Sequence, residues 1–310
     1  MNVFLEKQHS PWQSMILLLL LTFACSIGVQ FLVVILGLLT SSSAQNYLSS
    51  GGDISSLQNM PFFTYALLAS STFSTFYLPS VILQKREPYF TYFPIENSQK
   101  YIFYAFAVAI LLVFSPLMEL IGEWNAHMSL PENLKGLESW MRTQEDASGD
   151  LIKKIVMVDN IGLLLINIIV MAVFPAIAEE YYFRGSIMHI LERIVKNQHV
   201  AIWLTAAIFS AIHFQFFGFF PRLILGVFFG YMLVWTNNIW VPIVGHFVNN
   251  AAVTILAYYY TTQGKSFEDL QSYDNYSIFV YLGSLFLTIA VAVLFNKKSK
   301  SIHNYGERLG

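Results

Sequence analysis

Long apolar runs constrain the fold of this chain more than any other feature. Several of them approach or exceed the ~20 residues that a helix needs to cross the ~30 Å hydrocarbon core of a bilayer. Because lipid offers no hydrogen-bond partners, each spanning segment must satisfy its own backbone, which favours helices. Only 12% of the 310 residues are charged, against about 25% in an average soluble domain. The sequence therefore predicts an all-α, polytopic membrane protein that forms one membrane domain over residues 1–310.

The lengths of the apolar runs predict eight transmembrane helices. They cover residues 14–39, 61–84, 101–121, 155–195, 199–215, 221–236, 239–260 and 277–296. The fourth is longer than a span requires, so we expect its C-terminal end to leave the bilayer. Eleven Lys and Arg residues fall on the side that holds both termini. The positive-inside rule places that side in the cytoplasm of a cell membrane, and a bacterial inner membrane is the expected location.

Residues 122–154 form a long acidic loop on the extracytoplasmic side of this arrangement. Leu and Trp recur in it at near-helical spacing, which is typical of short amphipathic helices on a membrane surface. An ordered lid or a simple connector fits the same segment equally well.

The charge argues against nucleic-acid binding, and the cysteine content excludes two kinds of cysteine site. The net charge is -2, and no Lys or Arg tract alternates with aromatic residues, so a nucleic-acid partner is not expected. The single cysteine, Cys25, lies in the first apolar run. A disulfide within the chain and a thiolate metal cluster are therefore both excluded.

The stretch AIAEEYYFRGSI places charged residues where lipid makes charge costly. Glu180 and Arg184 are four residues apart, so they share one helix face and can form an ion pair. Glu179 is turned about 100° away from Glu180 around the helix axis. This geometry leaves Glu179 to face a polar cavity.

Two histidines and an asparagine occupy later helices. His246 and Asn250 are four residues apart and share one helix face. A tight turn near Lys196 would bring His213 to the depth of Glu179. By contrast, His189 has no spacing relation to this set and is interpreted as exposed.

Two chemistries fit these residues, and the spacing does not distinguish them. In one, Glu179 and His213 deprotonate a water while His246 and Asn250 donate hydrogen bonds to the oxyanion of a peptide carbonyl. In the other, Glu179, His213 and His246 hold a Zn²⁺ ion with one position open for water.

The order of these motifs resembles the CPBP intramembrane proteases. That family includes the CAAX prenyl endopeptidases, also called the Ras-converting endopeptidase group, and the bacterial Abi or bacteriocin-immunity proteins. The resemblance covers the core from about 160 to 260 and implies an endopeptidase that acts on membrane-associated or CAAX-like protein or peptide substrates, in contact with membrane lipid. By resemblance the catalytic residues are Glu179, His213, His246 and Asn250, and the supporting residues are Glu180, Arg184 and Phe209.

Two other functions remain open at this point. A non-catalytic immunity or scaffold protein would keep the same fold. A proton-coupled transporter would also place Glu and His inside helices, although its charges would be spread over paired halves of the chain.

Overall fold

Helices dominate the computed structural model, which describes residues 8–40, 45, 49, 51, 61–96, 100–270, 272, 274 and 276–307. Within these ranges the only β-type pairing is an isolated antiparallel bridge between Ile95 and Asn238. In chain order the helices are α1 (Pro11–Thr40), α2 (Phe63–Arg86), α3 (Lys100–Ala126), α4 (Lys135–Val156), α5 (Ile161–Val195), α6 (Gln198–Ala211), α7 (Phe219–Thr236), α8 (Trp240–Thr262), α9 (Phe267–Leu270) and α10 (Ile278–Glu307). The all-α prediction is confirmed.

Seven helices among the described residues are long and apolar enough to cross a membrane. The chain is therefore a multi-pass membrane protein, as predicted. The span predicted at 199–215 corresponds to α6, which has only 14 residues. At 1.5 Å per residue its length is about 21 Å, which is short of the ~30 Å hydrocarbon core. The placement of both termini in the cytoplasm stays a prediction.

Internal contacts divide the chain into two compact units. Unit 1 contains Met1–Pro94 and Ile177–Thr205, and unit 2 contains Ile95–Ala176 and Ala206–Gly310. In unit 1, α1 packs against α2 and against the C-terminal end of α5. In unit 2, α3 packs against α7, α8 and α10. Glu179 and Glu180, near the middle of α5, thus belong to unit 1, and His213, His246 and Asn250 belong to unit 2.

Aromatic packing holds the helices of unit 2 together. Phe295 of α10 stacks on Phe103 and Phe106 of α3, at ring-centre distances of 5.6 and 5.1 Å. The same buried cluster contains Phe229 and Met232 of α7. Because lipid is as apolar as these rings, the helices associate through close van der Waals packing of this kind rather than through removal of apolar surface from water. This core fixes α7, and Phe229 of α7 is the ring on which His246 stacks.

Among the described residues, three helical segments have π-helical rather than α-helical geometry. They are Phe73–Tyr77 in α2, and Ile168–Val173 and Glu180–Ile187 in α5. Such i→i+5 turns are rare and occur frequently at functional sites. The third of them begins inside the motif that contains Glu179 and Glu180.

The acidic loop folds into a short 3₁₀ turn followed by one 22-residue helix, α4. Glu138, which is 7% exposed, accepts hydrogen bonds from the Leu130 amide at 2.9 Å and from Lys135 at 3.0 Å. Arg142 donates to its other oxygen at 2.9 Å. These donors, the Leu130 amide first, lower the pKa of Glu138 to about 2. The start of α4 is therefore pinned by one ionised carboxylate, and its position on a membrane surface stays a prediction.

Candidate active site

Glu180 and Arg184 form the ion pair that their spacing predicts. Arg184 Nη1 donates to Glu180 Oε1 at 2.8 Å, and the two side chains are only 1% and 0% exposed. Removing two charges from water is costly, and only close pairing offsets that cost. The pair therefore accounts for how charge is tolerated in this helix, while its role as support for catalysis stays a prediction.

Glu179 occupies a different environment from Glu180. It is the last residue before the π-helical turn and is only partly buried, whereas Glu180 is fully buried. The change from α to π geometry at this point alters the direction of successive side chains relative to a regular helix. Adjacent helical residues already differ in direction by about 100°, and here one carboxylate is buried and the other is partly accessible.

His213 follows the last turn of α6 and is held by its own backbone. Its Nδ1 lies 2.7 Å from the carbonyl oxygen of Phe209. Because a carbonyl only accepts, Nδ1 carries the hydrogen and Nε2 carries the lone pair in the neutral ring. The tautomer with the hydrogen on Nδ1 suits a general base or a metal ligand. The next residue, Phe214, has a φ of 52°, a left-handed conformation that is uncommon for a bulky residue.

His246 of α8 lies in an aromatic enclosure and is 4% exposed. Its ring stacks on Phe229, with centres 5.4 Å apart and planes at 17°. Phe209 presents its ring at near right angles to His246 at 6.0 Å and to His213 at 5.1 Å. The two histidines therefore flank one buried phenylalanine. The supporting role of Phe209 stays a prediction.

Asn250 lies one turn beyond His246 and contacts the first π-helical turn of α5. Its Nδ2 donates to the carbonyl oxygen of Met171 at 3.2 Å. The side-chain Nδ2 of Asn249 donates to Asn250 Oδ1 at 3.2 Å. One of the two hydrogens on Asn250 Nδ2 is therefore engaged in bracing α8 against α5, and the second is the one that an oxyanion would use.

The structure brings Phe209, His213 and His246 together within unit 2. The carboxylate that completes the predicted set, Glu179, belongs to unit 1, so its approach to the histidines stays a prediction. In the described part of the chain, no group of three or more His, Cys, Asp or Glu residues is arranged to hold a metal ion. The set predicted for zinc takes ligands from both units. Of that set, His213 has the tautomer that presents an Nε2 lone pair, as a Zn²⁺ ligand must.

The expectation that His189 is exposed is wrong. Its side chain is partly buried and lies against the rings of Phe90 and Tyr92, at 5.5 and 4.9 Å. Sequence reasoning also missed Phe229 and the carbonyl of Met171 as neighbours of the site. Both contacts join segments that are distant along the chain, and neither leaves a pattern in local spacing.

Comparison with known proteins agrees with the predicted resemblance. Residues 161–252 match the family described as type II CAAX prenyl endopeptidase Rce1-like. The match includes Glu179, His213, His246 and Asn250, and it supports a membrane endopeptidase.

A Bacillus subtilis (strain 168) protein, named as uncharacterized protein YpbD, is 32% identical over 89 residues. The aligned region is 27% of this chain and 42% of that protein, so the chain covers less than half the length of this relative. No solved structure matches the chain.

Proposed function

We propose that this protein is a cell-membrane endopeptidase that hydrolyses a peptide bond of membrane-associated protein or peptide substrates. The main support is the pair of histidines on Phe209, because they lie in the segment that matches the endopeptidase family. Membrane lipid surrounds the spans, and the substrate reaches the site from lipid or from its surface.

In this proposal Glu179 and His213 activate the attacking water. The Nε2 atom of His213 accepts a proton, because its Nδ1 is committed to the carbonyl of Phe209. A positioned base of this kind contributes roughly 10²–10⁴-fold to a rate. His246 and Asn250 donate to the oxygen of the scissile carbonyl as negative charge develops on it. Loss of one such donor typically costs about 10²–10³-fold in kcat.

A bound zinc ion would lower the pKa of the attacking water and polarise the carbonyl. Glu179, His213 and His246 are the residues that would hold it. Activity of protein purified without added metal is then lost with a strong chelator and restored by Zn²⁺. Activity that persists in excess chelator favours water activated by Glu179 and His213 alone.

The direct test uses purified protein in detergent with a farnesylated peptide that ends in a CAAX sequence. Mass spectrometry measures cleavage, and the same peptide without the prenyl group tests whether prenylation is required. We expect Glu179→Ala and His213→Ala to reduce cleavage by about 10²-fold or more. His199→Ala is the matched control, because this histidine is exposed. Full cleavage by Glu179→Ala overturns the proposal. A cellular phenotype that is preserved in Glu179→Gln favours the immunity or scaffold function.

Natural substrates require a separate experiment. Membrane peptides from cells that carry the wild-type chain are compared with those from Glu179→Ala cells. Fragments that disappear in the variant, together with accumulated precursors, identify the substrate class. A pH-driven flux in liposomes with no change in peptides favours the transporter function.

A further inference from the structure

Glu87 is a fully buried carboxylate that belongs to none of the motifs. It follows the last turn of α2 and is 0% exposed. Ser14 of α1 donates to Oε1 at 2.8 Å, and the Tyr92 hydroxyl donates to Oε2. His9 Nδ1 lies 2.8 Å from Oε1. A buried carboxylate with this many partners fixes the segments that supply them.

The backbone that follows Glu87 is held a second time by Gln84. Gln84 Nε2 donates to the carbonyl oxygen of Phe90 at 2.7 Å, and the backbone N–H of Tyr92 donates to Gln84 Oε1 at 2.9 Å. Arg193 lies over the ring of Phe90, 3.8 Å from its centre. Residues 87–94, named the clamp segment below, are thus tied to α1, α2 and the end of α5.

The clamp segment ends on the π-helical turn that contains the ion pair. The ring of Phe93 stacks on Tyr181, with centres 4.2 Å apart and planes at 27°. The same ring covers Gly185, where an added Cβ would lie 2.6 Å from Phe93 Cδ1 and 3.0 Å from the Tyr92 carbonyl oxygen. Only glycine permits this approach. Phe93 therefore contacts the residues that directly follow Glu180 and Arg184.

We propose that Phe93, anchored through Glu87, is a positioning residue that holds the π-helical turn Glu180–Ile187 in place. An i→i+5 turn is less favourable than an α-turn and persists where tertiary contacts hold it. Phe93 supplies such a contact on the face formed by Tyr181 and Gly185. Its effect on catalysis rests on the proposed function and acts through Glu179, which directly precedes the turn.

Hydrogen exchange measured by mass spectrometry tests the positioning without requiring any activity. In Phe93→Ala, we expect amides of residues 180–187 to exchange several-fold faster than in the wild type. Phe93→Tyr keeps the ring and restores slow exchange. Tyr89→Leu is the matched control, since Tyr89 lies in the clamp segment but contacts His9 and Phe90. Unchanged exchange of 180–187 in Phe93→Ala overturns the proposal.

A double-mutant cycle tests the contact itself. Gly185→Ala forces the added methyl against the Phe93 ring and lowers the melting temperature of the protein in detergent. The same change is expected to lower it less in the Phe93→Ala background, where the ring is absent. If the two shifts in melting temperature are additive, Phe93 and residue 185 do not interact. That result overturns the proposed contact between the clamp segment and the π-helical turn.

Cleavage of the farnesylated peptide then measures the consequence for the site. After normalisation to folded protein, Phe93→Ala is expected to lower kcat several-fold with little change in KM, and Phe93→Tyr restores kcat. An unchanged kcat despite faster exchange overturns the catalytic part of the inference. Failure of the proposed function is recognised separately, because it appears as wild-type inactivity or as full activity of Glu179→Ala.

Discussion

At the scale of single residues, the buried ion pair has the clearest energetic consequence. Arg184→Leu leaves the Glu180 carboxylate, which is 0% exposed, without its arginine. Breaking a buried pair by removing one partner costs about 3–5 kcal/mol. We expect Arg184→Leu to lower the free energy of unfolding by that amount, measured by equilibrium unfolding of the purified protein in mixed micelles. The double variant Glu180→Leu/Arg184→Leu should be more stable than Arg184→Leu alone, and equal or lower stability contradicts the prediction.

The residues predicted correctly are those whose relation is local. Glu180 and Arg184 are one helical turn apart, so their pairing follows from helix geometry. Glu87 gave no comparable signal, because a Glu after Lys85 and Arg86 is typical of an exposed helix end. Its burial depends on Ser14 and Tyr92, which come from other segments. Contacts of this kind arise from tertiary packing and leave no periodicity in the sequence.

At the scale of helices, the close approach of α7 and α8 depends on Gly245. A Cβ there would lie 3.1 Å from Phe229 Cε1, and the same ring stacks on His246. Overpacking costs about 1–3 kcal/mol, while replacing glycine in a helix returns up to about 1 kcal/mol. We therefore expect Gly245→Ala to lower stability by roughly 0–3 kcal/mol and to reduce peptide cleavage several-fold.

Gly283→Ala in α10 is the control for this change, because nothing lies within 4 Å of the added methyl. It should leave cleavage unchanged and raise the melting temperature slightly through helix propensity. Equal loss of cleavage in both variants would show that Phe229 does not position His246.

The start of α4 carries a pH-dependent contribution to stability. The pKa of Glu138 is lowered to about 2 by the Leu130 amide, Lys135 and Arg142, from about 4.3 in an unfolded chain. A lowered pKa stabilises the folded state above the unfolded value, and this contribution is lost as pH falls toward the folded value. Glu138→Gln should therefore lower the melting temperature at pH 7.

The gap in melting temperature between wild type and Glu138→Gln should close as pH falls from about 4.3 toward about 2. Glu132→Gln serves as the control, because Glu132 is exposed and lies in the 3₁₀ turn that precedes α4. A gap that stays constant across this range shows that the ionised Glu138 carboxylate does not hold α4.

The ends of the spanning helices were predicted to within about five residues, except that α5 begins at Ile161 rather than 155 and α10 ends at Glu307 rather than 296. The π-helical segments were not predicted. Apolar length identified α5, because lipid requires a continuous apolar helix. The turns at Ile168–Val173 and Glu180–Ile187 arise where α5 meets packed neighbours, such as Asn250 at Met171 and Phe93 at Gly185. No residue pattern in α5 itself specifies an i→i+5 turn.

At the scale of the whole molecule, the number of crossings decides where the C-terminus lies. Seven described helices have the length of a span, and an odd number of crossings separates the termini across the membrane. Both termini share a side only if α6, with its 14 residues, completes an eighth crossing. Of the eleven basic residues counted on the cytoplasmic side, Arg184 is buried in an ion pair and does not act as a loop charge. Lys7 and Arg308 lie outside the described residues.

Single-cysteine labelling in intact cells determines the number of crossings. In a Cys25→Ala background, cysteines replace Arg86, Ser139 and Lys298, which are all exposed. With eight crossings, a membrane-impermeant maleimide labels Ser139→Cys in intact cells, whereas Arg86→Cys and Lys298→Cys react only after permeabilisation. Labelling of Lys298→Cys in intact cells means that α6 does not cross. Because α6 leads directly into His213, that outcome also removes this histidine from the extracytoplasmic side, which is where an eighth crossing would place it.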